Sequence, residues 1–97
     1  MKSYPRAFRI AEVFQRELAD ILLKKIADPR LQGVTITRVV VSEDLKLATI
    51  FFDVWDNKQK VERALKGFDS AHHFIKRELA KRVRLKFMPE LRFEVEI

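Results

Sequence analysis

The residue types best suited to acid–base or metal chemistry in this chain are two adjacent histidines, His72 and His73. Adjacent positions on a helix point about 100° apart, a poor geometry for two ligands of one metal ion. Ser70 lies only two residues away, too close along the same presumed helix start to serve as a nucleophile activated by either imidazole. Glu43-Asp44 reads as part of a turn, and Glu94 and Glu96 as the polar side of a strand, so both acidic pairs are solvated rather than opposed across a cleft. The sequence has no cysteine, which excludes disulfides, thiolate zinc sites, iron–sulfur clusters and thiol nucleophiles. Its only glycines, Gly33 and Gly67, are too far apart to build a glycine-rich phosphate loop or the GxxG clamp of ordinary KH domains. No catalytic set, metal site or cofactor site is nominated.

What remains is charge. The 97 residues carry 20 Lys and Arg against 14 Asp and Glu, a net charge of +6. Its distribution is uneven: residues 1–30 hold seven bases and four acids, 31–57 two and four, 58–71 four and two, and 72–97 seven and four. The densest stretch is 72–89, where Lys76, Arg77, Lys81, Arg82, Arg84 and Lys86 face a single acid, Glu78. Such a stripe points to a polyanion, either nucleic acid or an acidic membrane surface. No apolar run approaches the ~18 residues of a membrane span, and no apolar segment follows the basic N-terminus as in a signal peptide. The length suits one domain, residues 1–97, and excludes a (β/α)₈ barrel and a full two-half dinucleotide fold.

The elements that would position these bases can be read from periodicity. Ala7, Ile10, Ala11, Phe14, Leu18, Ile21 and Leu22 share a sector of about 120°, which predicts a helix from Ala7 to about Ile26, closed by Asp28-Pro29. Arg9 and Arg16 share its opposite side. Two β-branched runs, Val34 to Ser42 and Lys46 to Trp55, flank Glu43-Asp44-Leu45 and predict an antiparallel hairpin. Phe51 is assigned to the core, since no glycine-and-aromatic RNA-binding signature accompanies Phe51, Phe52 and Trp55. Asn57 is a plausible cap for a second helix carrying Val61, Ala64, Leu65 and Phe68, and Asp69-Ser70 for a third. In that third helix Ile75, Leu79 and Val83 form the core stripe, with Arg77, Lys81 and Arg84 in a row nearly opposite. Beyond Pro89, Leu91, Phe93, Val95 and Ile97 alternate with polar residues as a half-buried strand. The expected architecture is α+β, in the order α-β-β-α-α-β, with a three-stranded sheet carrying its helices on one face.

Three blocks in this frame are distinctive. Asp28-Pro29-Arg30-Leu31 closes the first helix, Val41-Ser42-Glu43-Asp44-Leu45 makes the hairpin turn, and Arg82 to Phe93 (RVRLKFMPELRF) leads into the last strand. In this order and over essentially the whole chain, they resemble the ribosome-binding factor A family of bacterial small-subunit assembly factors. The resemblance implies a type II KH-like fold. It also implies a non-enzymatic, cofactor-free cytoplasmic protein that binds the precursor of the small (30S) ribosomal subunit and its 16S rRNA late in maturation. It further implies a part in 5′-end rRNA processing and in growth in the cold. The family replaces the KH GxxG by an Ala-x-Gly kink between its second and third helices, which falls here on Ala71, His72 and His73, with His73 in the place of the glycine.

The expected RNA-binding residues are therefore Lys76, Arg77, Lys81, Arg82, Arg84 and Lys86, with Arg6, Arg9 and Arg16 as a second basic surface, in a protein expected to be a monomer and not to engage a membrane. Phosphate contacts from these bases would supply affinity, and rRNA shape would supply recognition. Two other readings of the same charge are a general KH-like RNA binder and a basic domain that docks an acidic protein.

Overall fold

Pro5, with φ −56° and ψ 140°, precedes the first helix, and its carbonyl accepts from the Phe8 and Arg9 amides at 3.0 and 3.2 Å. From there α1 runs Arg6–Lys24 in a computed structural model that describes residues 5–55 and 58–96. Its buried residues are Ile10, Ala11, Phe14, Leu18 and Ile21, the stripe set by 3.6-residue periodicity. The helix ends slightly before the expected Ile26, which packs against the edge of the core. Asp28-Pro29 then starts a 3-10 turn, Pro29–Leu31. The Asp28 carboxylate accepts from the Arg30 amide at 2.9 Å and from the Arg30 guanidinium at 2.7–3.1 Å. The Asp-Pro-Arg block is thus a self-capped turn that drives Leu31 into the core. Gly33, at φ +78°, reverses the chain into the sheet.

β1 (Val34–Val41) and β2 (Leu47–Val54) pair antiparallel. At their turn the Ser42 hydroxyl accepts from the Lys46 and Leu47 amides and donates to Asp44 at 2.7 Å. Asp44 in turn accepts from the Lys46 amide at 3.1 Å. The hydroxyl and that amide hold its carboxyl below the ordinary carboxylate range. Leu45 takes the left-handed conformation, φ 62°, which costs a non-glycine residue about 1 kcal/mol; its side chain recovers part of this by packing on the core. The register shifts between Ile36 and Arg38, leaving Thr37 as a bulge.

One long helix, α2 (Lys58–Arg82), follows, and this corrects the expected pair of helices and the kink between them. Ala71, His72 and His73 lie in the middle of an unbroken helix, and Leu45 is the only non-glycine described residue with positive φ. Asp69 and Ser70 are exposed helix-interior residues rather than caps. No Pro interrupts the segment, and its Gly67 serves a different purpose. A Cβ there would lie 2.9 Å from Leu31 Cγ and 3.2 Å from Arg30 Cβ, so the missing side chain lets the 3-10 turn close against α2. The Asn57 cap lies outside the described residues, as does Ile97 at the end of the alternating strand.

β3 (Glu90–Val95) pairs parallel with β2, and the sheet order is β1-β2-β3. A parallel neighbour requires a crossover, and α2 provides it. The result is the expected α+β architecture, a mixed three-stranded sheet with its helices on one face, in the order α-β-β-α-β.

The core lies between that face and the helices. Phe14, Phe52 and Phe68 are almost fully buried. Phe68 sits between Phe52 (ring centroids 5.0 Å apart) and Phe93 (4.3 Å, nearly parallel). Phe51 is not in this core. It pairs with Arg38 on the opposite face of the sheet, where the guanidinium lies 3.8 Å from the ring centroid. Strand parity explains the exchange: Ala48, Ile50, Phe52 and Val54 are the buried set, and Phe51 alternates with them.

Candidate nucleic-acid interface

The last three turns of α2 and the loop into β3 carry most of the expected bases. Arg77 and Lys81 are exposed on α2. The helix ends at Arg82, so Arg84 and Lys86 stand on the loop, both exposed, rather than on a continued helical row. Between Glu78 and Glu90 no acidic residue occurs.

The acids at the two ends are engaged. Glu78 accepts from Lys81 at 3.0 Å, a hydrogen bond that holds its carboxyl below the usual range. Glu90 meets Lys76 at 3.6 Å and lies 3.9 Å from His72 Nε2. Arg77, Arg84 and Lys86 have no ion pair among the described residues.

Arg82 stands apart from the row. Its guanidinium turns to α1, donating to Asp20 at 2.7 Å and to Glu17 at 3.3 Å. Asp20 is held below its ordinary value, first by Arg82 and then by Lys24, which it meets at 3.0 Å. The other oxygen of Glu17 meets Arg16 at 3.5 Å. One carboxylate thus brings Arg16 of α1 to the C-terminal end of α2.

Arg6 and Arg9 are exposed on the first turn of α1, about 10–15 Å up the helix from Arg16 at 1.5 Å per residue. That turn carries no acid, so both bases sit at the positive end of the helix dipole, an unfavourable place for them. They form a separate patch.

The histidines do not form a ligand set. Their rings lie 5.7 Å apart, His73 is exposed, and His72 is half-buried with its ring edge-on to Phe93. No group of three or more metal-ligating side chains occurs among the described residues. No helix among them is long and apolar enough to cross a membrane.

Two features escaped sequence reasoning. Phe87, beside Lys86, is 78% exposed, although its hydrophobicity and its place in an apolar-polar alternation suggest burial. On the outer face of the sheet, Arg38 lies over Phe51 and makes a two-pronged ion pair with Glu96 on the far side of β2, at 2.8 and 3.3 Å. Thr37 Oγ1 lies 3.0 Å from the same carboxylate and 3.2 Å from the Phe51 carbonyl. No local pattern signals that cluster, because its members meet only once the sheet has formed.

The family model described as ribosome-binding factor A matches residues 6–96. A ribosome-binding factor A from Desulfatibacillum aliphaticivorans is 45% identical over 93 residues, covering 96% of this chain and 76% of that protein. The crystal structure of ribosome-binding factor A from Thermus thermophilus superimposes with a TM-score of 0.80 at 26% identity, over 92% of this chain and 94% of that one. A homology model of the Thermus thermophilus factor, fitted into a cryo-electron microscopy map of a 30S–RbfA complex, gives 0.75 at 28% identity, over 93% of each chain. The type II KH-like fold agrees with these neighbours. With the whole architecture and nearly the whole sequence matched, the chain belongs to the ribosome-binding factor A family.

Proposed function

We propose that this protein is a non-catalytic assembly factor that binds the immature small ribosomal subunit through its 16S rRNA. It acts as a cytoplasmic monomer without a cofactor, late in maturation and around 5′-end processing, and matters most in the cold. The observation that carries the reading is the exposed flank from α2 into the β3 loop, basic and free of acids from Leu79 to Pro89, in a chain of this family. The 30S complex of the Thermus thermophilus relative supports the same partner.

Arg77, Lys81, Arg84 and Lys86 contact phosphates along this flank, with Lys76 at its edge and Arg16 near its end. Arg6 and Arg9 offer a second contact. Arg82 supports the surface from behind by tying α2 to α1. The Ala71–His73 segment contributes as an unbroken stretch of helix. A factor of this kind favours one rRNA arrangement only as far as it binds immature subunits more tightly than mature ones, so that difference is its mechanism.

Replacing Arg77, Lys81 and Arg84 together by Ala is expected to weaken binding to immature small subunits about tenfold or more, and to reduce the salt dependence by two to three counterions, roughly one for each phosphate no longer neutralised. Sedimentation binding across a salt series, with the unfolding transition as a check on folding, measures both. A folded triple variant with unchanged affinity and salt slope refutes the assigned surface.

A further inference from the structure

We propose that Phe87 is a base-stacking residue for single-stranded RNA, presented at the centre of the basic loop between α2 and β3. The inference rests on the RNA-binding reading above and names the kind of RNA that this part of the surface takes.

The loop is built to hold this ring outside. Val83 and Leu85 pack against the core, while Arg84 and Lys86 between and after them are exposed. Continued alternation would turn position 87 inward. Met88 and Pro89 take the inner places instead, Met88 against the core and Pro89 fully buried. Phe87 is left on the surface at 78% exposure.

Both ends of the loop are tied. The Val83 amide donates to the Leu79 carbonyl at 3.0 Å, and the Glu90 amide to the Lys46 carbonyl on the β2 side at 2.8 Å. An aromatic side chain has only two torsions, so one carried on a fixed backbone gives up little freedom when it binds.

The surroundings select the ligand. Lys86 Nζ lies over the Phe87 ring, 5.8 Å from its centroid, and Arg84 is exposed one alternation away. An aromatic face beside a cation offers a base something to stack on and its flanking phosphates something to pair with, the combination found in single-strand binding grooves. The more exposed Trp55, at 81%, lacks this setting, since its neighbours at positions 53 and 56 are both Asp. A paired helix keeps its bases stacked inside, so Phe87 has no use for duplex RNA.

Anisotropy of a fluorescein-labelled oligouridylate, and of an A-form RNA duplex of equal length, tests this with the full chain. Phe87→Ala is expected to weaken the single strand about tenfold while leaving the duplex affinity, the salt slope and the unfolding midpoint unchanged. Phe87→Trp in a Trp55→Phe background should retain the affinity, and its indole fluorescence should fall as oligouridylate is added.

Unchanged single-strand affinity in Phe87→Ala, or equal loss for both RNAs, overturns the proposal. So does a loss confined to phosphatidylserine vesicles, which would make the ring a membrane contact. Arg84→Ala with Lys86→Ala separates the two readings. If that pair weakens both RNAs while Phe87→Ala weakens neither, the basic surface stands and stacking fails. If the unsubstituted chain shows no salt-dependent RNA binding, both fail.

Discussion

Arg82 donates to Asp20 and Glu17 from the last turn of α2, whereas Arg77, five positions earlier, has no ion pair among the described residues. The two look equivalent in the sequence. Arg82's partners lie 62 and 65 positions away, and nothing local announces them. The difference predicts opposite phenotypes. Arg82→Ala leaves two half-exposed carboxylates without their shared cation and lowers the unfolding midpoint by a few degrees at pH 7. Arg77→Ala leaves the midpoint where it is and weakens only RNA binding. Thermal unfolding of the two variants side by side checks this; equal midpoints would remove Arg82's assignment to the α1–α2 contact.

At the scale of elements, the contact between α2 and the 3-10 turn depends on Gly67. Ala is the better helix former by about 1 kcal/mol, so propensity alone predicts that Gly67→Ala stabilises the protein. The added methyl would lie 2.9 Å from Cγ of buried Leu31, and overpacking of this kind costs about 1–3 kcal/mol. The expected outcome is a net loss of about 1 kcal/mol in urea unfolding. Leu31→Ala alone should cost about 2–3 kcal/mol, and the double variant less than the two losses combined, because the smaller residue makes room. Strictly additive losses would mean that the methyl never met Leu31. The same helix marks the limit of legibility at this scale. The stripe of α1 and the alternation of β3 were readable because each buries one face along its own period. The continuity of α2 was not, because Asp69 and Ser70 are chemically good caps and only the geometry decides that the helix passes through them. The aromatic pair on β2 is similar: Phe51 and Phe52 are the same residue type, and the choice of which enters the core is made by the pairing of the whole sheet. In the basic flank the residue types were legible, whereas the inward turn of Arg82 and the outward turn of Phe87 depended on contacts made elsewhere.

Over the whole molecule, acids and bases play unequal parts. Asp20, Asp28, Asp44, Glu78 and Glu96 are all held below their ordinary values, chiefly by hydrogen bonds from Arg82, Arg30, Ser42, Lys81 and Arg38 respectively. With these carboxylates engaged within the fold, Arg77, Arg84 and Lys86 are left to face outward. A carboxyl with a depressed folded-state value binds fewer protons folded than unfolded near its ordinary pKa, so its contribution is complete above that range and is lost as pH falls through it and below. Stability should therefore hold from neutrality down to about pH 5 and then decline through about pH 4 and lower. There 20 Lys and Arg repel one another with fewer and fewer carboxylates to oppose them, and added salt should restore part of the loss by screening. Glu96→Gln isolates one contribution, since Glu96 joins Arg38 and Thr37 of the first strand to the end of the third. The variant should be less stable than the unsubstituted chain at pH 7 and approach it at an acid pH well below the ordinary carboxylate range, where Glu96 itself becomes protonated. Urea unfolding of both chains at the two pH values reads the difference directly. A gap that persists undiminished in acid would mean that Glu96 contributes through hydrogen bonds the amide does not reproduce rather than through its charge, and the acid decline would then have to come from the remaining carboxylates.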